Sequence, residues 1–318
     1  MANKRVFQAS AVKNGTQGIG GVAQIGLDFS YKDILRSPAQ GAVGIEDLET
    51  AGLRVGVNLD CGDVLLALAL MNLTPSGLQW YGKEAGAATF HKYEILAADA
   101  VIVWHGLNLK FSANADAQLS LNGTLRFASG TKDFADVLKV SDVIAASTRA
   151  TDVVYPLRMY RLGMMSFDPD AVGPTTFSPL HFKSLNVSLK GRVLEDYDDD
   201  DIGLTSVDVA DWGPVEASIE HLDASKQTGT NPQADMVAKL RTSGAGTLTT
   251  VIKGVAGAAN KTFTMRNLKF IGASPSFGAD YARFSMKAES TWRNNVPTTP
   301  VIYSLDGVSP TVKIFEFA

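Results

Sequence analysis

Apolar and polar residues alternate with a period of two through most of this chain. In residues 25–35, Leu27, Phe29 and Tyr31 fall on one side, and Asp28, Ser30 and Lys32 on the other. That period marks a half-buried strand. The same reading predicts strands over 6–12, 53–59, 78–81, 88–96, 101–111 and 119–127. In the second half it predicts them over 185–190, 215–222, 248–253, 261–271 and 284–292. Two stretches break the period. Val64–Met71 is apolar all round, follows Asp60 and Asp63 as possible caps and stops before Pro75, which predicts a short buried helix. Asn231-Pro232 opens a second helix, with Met236, Val237 and Leu240 as its stripe and Gly244 at its end. A third short helix is expected near Phe134–Leu138, in the segment 128–158 that joins the halves. The tail from Thr298 alternates again in Val301–Tyr303 and Val312–Phe315, as an extended arm that docks as a strand would. The fold class is mainly β.

The pattern also repeats. Asn108-Leu109-Lys110-Phe111 recurs as Asn267-Leu268-Lys269-Phe270, half a chain length later. Each copy precedes a polar break and another alternating strand. Leu185-Asn186-Val187-Ser188-Leu189-Lys190 likewise answers Leu27-Asp28-Phe29-Ser30-Tyr31-Lys32, with serine and lysine in register. Each half reads as strand, long loop, strand, helix, then a run of strands. Internal similarity of this kind decides the fold. It predicts two units, 1–150 with an N-terminal arm and 151–318 with a C-terminal arm. Phe111 should lie on Phe270, and Leu59 near Leu222. The long loops are expected at Arg36–Gly52 and Leu194–Gly213.

Composition narrows the function. A chain of 318 residues, 45% hydrophobic and 19% charged, can bury a core and is not disordered. A net charge of −4 gives no global basic field to attract nucleic acid. The single cysteine, Cys61, excludes an internal disulfide and fits a reducing compartment. The start lacks an apolar signal core, and no apolar run reaches the ~20 residues of a membrane helix. The expectation is a protein made in a cytoplasm, away from membranes.

No candidate chemistry assembles from the motifs. Gly18-Ile19-Gly20-Gly21-Val22-Ala23 matches GxGxxA, but a dinucleotide site needs a helix to follow, and a strand follows here. The run Glu195-Asp196-Tyr197-Asp198-Asp199-Asp200-Asp201 places acids as a calcium loop begins. Asp201 then stands where that loop needs glycine, and Val207 where it needs glutamate. His91, His105, His181 and His221 are scattered without ligand spacing, and Cys61 has no motif partner. No nucleophile, base and orienting group can be named together, so neither an enzyme nor a cofactor is expected.

Duplicated strands around the tetrapeptide, the helix after the second strand and the long loop before it resemble the tail tube (major tail) proteins of long-tailed bacteriophages. The variety it resembles carries two tube domains in one chain. That resemblance implies two tandem β-sandwich domains, each with a flanking short helix, whose strands join between subunits into an inner β-barrel. It implies trimeric, pseudo-sixfold rings, stacked into a virion tail assembled in the host cytoplasm. The implied partners are further copies of the chain, the tape measure, terminator and baseplate proteins, and viral DNA that passes through the lumen without specific binding. In this family the long loop and terminal arms reach the next ring, which assigns inter-ring contact to Asp196, Asp198, Asp199, Asp200 and Asp201. Alternation puts Ser120, Asn122 and Thr124 of one strand, and Ser285, Lys287 and Glu289 of its counterpart, on the face opposite the core. They are the candidate lumen residues. Another tail part of the same fold (a baseplate hub, adaptor or terminator) or a carbohydrate-binding β-sandwich module are the competing readings.

Overall fold

The computed structural model describes residues 7–14, 17–19, 22–36, 47–62, 64, 78–84, 89–96, 98–130, 134–145, 159–168, 182–197, 203–221, 246–255, 259–277, 282–290, 303–304 and 315–317. The first half contributes strands β1 (Phe7–Asn14), β2 (Gln17–Ile19), β3 (Val22–Arg36), β4 (Asp47–Cys61), β5 (Leu78–Glu84), β6 (Thr89–Ile95), β7 (Ala100–Ser112), β8 (Gln118–Phe127) and β9 (Leu138–Ala145), with a short helix α1 (Phe134–Val137) before β9. The second half contributes β10 (Met159–Asp168), β11 (Phe182–Tyr197), β12 (Leu204–Trp212), β13 (Val215–His221), β14 (Gly246–Val255), β15 (Lys261–Phe277), β16 (Ala282–Ser290), β17 (Tyr303–Ser304) and β18 (Phe315–Phe317). The protein is mainly β, and its ladders are antiparallel except where β17 meets β18. The helices expected at 64–71 and 231–240 lie outside the described residues, apart from Val64.

A small sheet has the order β2-β1-β5-β6-β9, and a large one runs β10-β14-β15-β16-β13-β11-β7-β8-β4-β3. In the large sheet β12 pairs β11, and β18 pairs β15. Alternation decides which face is covered. Leu53, Val55, Val57 and Leu59 of β4 are buried, and so are Leu185, Val187 and Leu189 of β11, and Val215, Ala217 and Ile219 of β13. Each such valine, leucine or isoleucine contributes roughly 1.5–3 kcal/mol by leaving water. Ile19, Leu78, Trp80 and Ile95 of the small sheet join the same core cluster, so two sheets pack face to face as a sandwich. In the second half the lid comes from the large sheet itself. β15 pairs β14 through Lys261–Leu268 and β16 through Leu268–Phe277. Its first part thus turns over the core and brings Phe263 and Met265, with Leu248 and Ile252 of β14, into the interior.

Two runs of this sheet have the same order: β3-β4-β8-β7, then β11-β13-β16-β15. They meet edge to edge where β7 pairs β11, with Phe111 opposite Leu185, Leu109 opposite Val187 and Leu107 opposite Leu189. Their hairpins also bulge at one place. Gly52 is the extra residue beyond Tyr31, and beyond Leu189 the two residues Gly213-Pro214 stand against the single Lys190. Gly52 takes φ +59°, a left-handed conformation natural to glycine.

The ladders correct one sequence expectation. From Leu27 the rung runs through Val57 and Gly123 to Trp104. From Leu185 it runs through Ile219 and Met286 to Ala273. Phe270, opposite Ala288, is therefore level with Ile102, which lies opposite Leu125, and not with Phe111. β7 ends just after Phe111, whereas β15 runs on past Phe270 to Phe277. The repeated tetrapeptide reflects a shared alternation and marks no shared position. Leu59 is level with His221, each pairing the matching residue of the next strand (Leu121 and Phe284); Leu222 itself lies outside the described residues.

The long loops are also shorter than expected. β4 begins at Asp47, and β11 and β12 form a two-stranded ribbon across most of 194–213. Polar side chains such as Glu195, Ser206 and Asp208 hid that ribbon from a search for apolar alternation. The tail does dock as a strand, with Phe317 opposite Phe263.

Candidate functional site

The large sheet presents its other face as a continuous polar surface. One rung crosses six strands as Ser120, Asn108, Ser188, Glu216, Glu289 and Lys269. The next carries Gln118, Lys110, Asn186, Ser218, Lys287 and Gly272. The first rung sets Glu216 opposite Glu289, with Lys269 beyond, and the second carries Lys110 and Lys287, so both signs occur and no single sign dominates. The sheet curves here into a concave depression of about 540 Å³ lined by Lys110, Asn186, Glu216, Lys287 and Glu289. A second of about 550 Å³ lies beside it, against His105, Asn122 and Lys190.

All six candidate lumen residues belong to this face. Asn122 and Lys287 are exposed, while Ser120, Ser285 and Glu289 are half-buried. Thr124 differs, for it is fully buried. Arg54 Nη2 donates to its hydroxyl at 3.3 Å, and His105 Nε2 lies 3.1 Å from the same oxygen. Arg54 Nε also pairs with Glu195 Oε1 at 2.8 Å. Burial, then the Arg54 charge, lowers the His105 pKa below its ordinary 6.5. Tyr197 shifts upward, first through burial and then through Glu195. This cluster ties the ribbon of the second half to the sheet of the first, and no local motif announces it: Arg54 and Glu195 are 141 residues apart.

The ribbon itself packs down. Leu204 and Val207 of β12 are fully buried, Gly203 bridges to Leu53, and the Tyr197 ring lies where a Cβ on Gly52 would go. Of the acidic residues assigned to inter-ring contact, Asp196 is exposed at the end of β11 and accepts the Tyr197 N–H at 2.9 Å. Asp198, Asp199, Asp200 and Asp201 lie outside the described residues. In the glycine cluster, β1 and β2 form a hairpin, Ile19 is buried, and β3 follows, a setting unlike a phosphate-binding strand-to-helix turn. Trp80 and Trp104 are buried in the core and offer no flat face for stacking a sugar.

The two ends of the eight-strand run carry large apolar side chains in the open. Phe29 is 51% exposed and Tyr31 57% on β3, and Phe277 is 73% exposed on β15. The sequence matches no protein-family model and no curated protein. Function must therefore be argued from this geometry.

Proposed function

We propose that the chain is a structural tube subunit, built as two tandem tail-tube-like domains, that assembles into stacked rings of three copies around a channel for viral DNA. One observation carries this reading: the same four-strand order occurs twice, and the two copies are joined edge to edge in one sheet. A chain that already pairs two such units side by side holds a segment of a ring. Repeating the junction between copies closes the sheet into a barrel and removes its edges. The concave polar face would then line the lumen. Its small polar residues and balanced charges suit a wall along which a polyanion moves without sticking.

The test is the mass of the purified protein in solution. A subunit of 33.9 kDa should sediment as trimers and as multiples of trimers. A particle that stays monomeric at all concentrations contradicts the reading. A hub, adaptor or terminator of the same fold would form single rings without stacking into tubes, and the same measurement separates it.

A further inference from the structure

The geometry points to a specific head-to-tail contact between copies, in which the β15 edge of one chain pairs with β3 of the next in the register that β7 and β11 use inside the chain. This rests on the ring reading and specifies its joint. Within the chain, Leu109 faces Val187 and Leu107 faces Leu189, and these four side chains are between 0% and 3% exposed. The ladders carry these positions to the outer strands. Phe29 and Tyr31 are the counterparts of Val187 and Leu189. Across the hairpin, Leu119 pairs Leu109 as Ala282 pairs Phe277, so Phe277 is the counterpart of Leu109, and Pro275 of Leu107.

Translating the internal junction places Phe277 of one copy opposite Phe29 of the next, and Pro275 opposite Tyr31. Phe29, Tyr31 and Phe277 are large apolar side chains between 51% and 73% exposed, whereas Val187, Leu189 and Leu109, their internal equivalents, are covered. Exposed aromatics on sheet ends are an aggregation hazard that natural proteins avoid unless the ends are used. The polar face continues across the joint without a clash of charge, because the internal pair Asn108–Ser188 becomes Ser276 beside Ser30. The two surfaces differ, so the contact is heterologous and propagates around a ring.

Two charged variants test this. Phe29→Asp should block the β3 side only, and Phe277→Asp the β15 side only, because a carboxylate is costly to bury at an apolar joint. Each should keep the parent's circular dichroism, since both side chains are exposed. Each alone should run as a monomer with at least tenfold weaker self-association. Mixed in equal amounts, they should form a 1:1 pair that grows no further, because one intact side of each remains. If either variant alone assembles as the parent does, the proposed register is overturned while the ring reading stands. If the mixture stays monomeric, the contact is not head-to-tail and the proposal fails. If the parent itself is monomeric, both readings fall.

Discussion

Gly52 shows how much one residue can hold in place. Its φ of +59° and the Tyr197 ring over its α-carbon leave no room for a side chain. Gly52→Ala should therefore destabilise the fold by about 1–3 kcal/mol, read as a fall in the urea midpoint, and should loosen the ribbon from the first half. His105 makes a pH prediction. Its folded pKa lies below the ordinary 6.5, so below about pH 6.5 the unfolded chain takes up a proton that the folded chain resists. Stability should then be full above that value and fall as the pH drops through the folded pKa. Comparing urea midpoints at about pH 5 and pH 7, the loss on acidification should be smaller in His105→Asn. An equal loss in both would place the titrating group elsewhere. Neither residue was legible in the sequence. Gly52 looked like one more loop glycine, and His105 was one of four scattered histidines whose neighbours come from other strands.

The ribbon of β11 and β12 is the element that sequence reading described least well. Its alternation is carried by polar residues, and the apolar ones that matter, Leu204 and Val207, are too few to give a period. Because both are fully buried, Val207→Ala should cost about 1–3 kcal/mol and Leu204→Ala about 2–5 kcal/mol. Thermal melts of the two variants would check this, and an unchanged melting temperature would mean the ribbon does not dock. Its tip should behave differently. Replacing Asp198, Asp199, Asp200 and Asp201 with asparagine should leave stability within about 0.5 kcal/mol. The salt dependence of assembly should change if the tip contacts the next ring; identical assembly across salt concentrations would reduce it to a solvated connection. The strands themselves were easier to read. Where one face is buried, as in β7 and β13, apolar alternation was plain and the bounds came within a residue or so; in β4 only the buried stretch from Leu53 was plain, and the strand begins earlier, at Asp47.

Across the whole molecule, the halves are not independent bodies. Phe111 of β7 packs on Phe263 of β15, ring centres 5.6 Å apart at 52°, and the β7–β11 ladder crosses between them. Phe111→Ala should cost about 3–5 kcal/mol and lower a single unfolding transition, followed by calorimetry. Two separated transitions, only one of them shifted, would show that the halves unfold apart. The repeated strand order has a trace in the sequence, the match of Leu27–Lys32 with Leu185–Lys190. The joining of both copies into one sheet has none, because strand neighbours far apart in the chain leave no local pattern. The proposed ring rests on that joint. Electron microscopy of the purified protein viewed end-on tests it most directly. A closed ring of three chains with six similar lobes around an open lumen is the predicted image. Compact particles without a hole, or closed two-fold dimers, would contradict it.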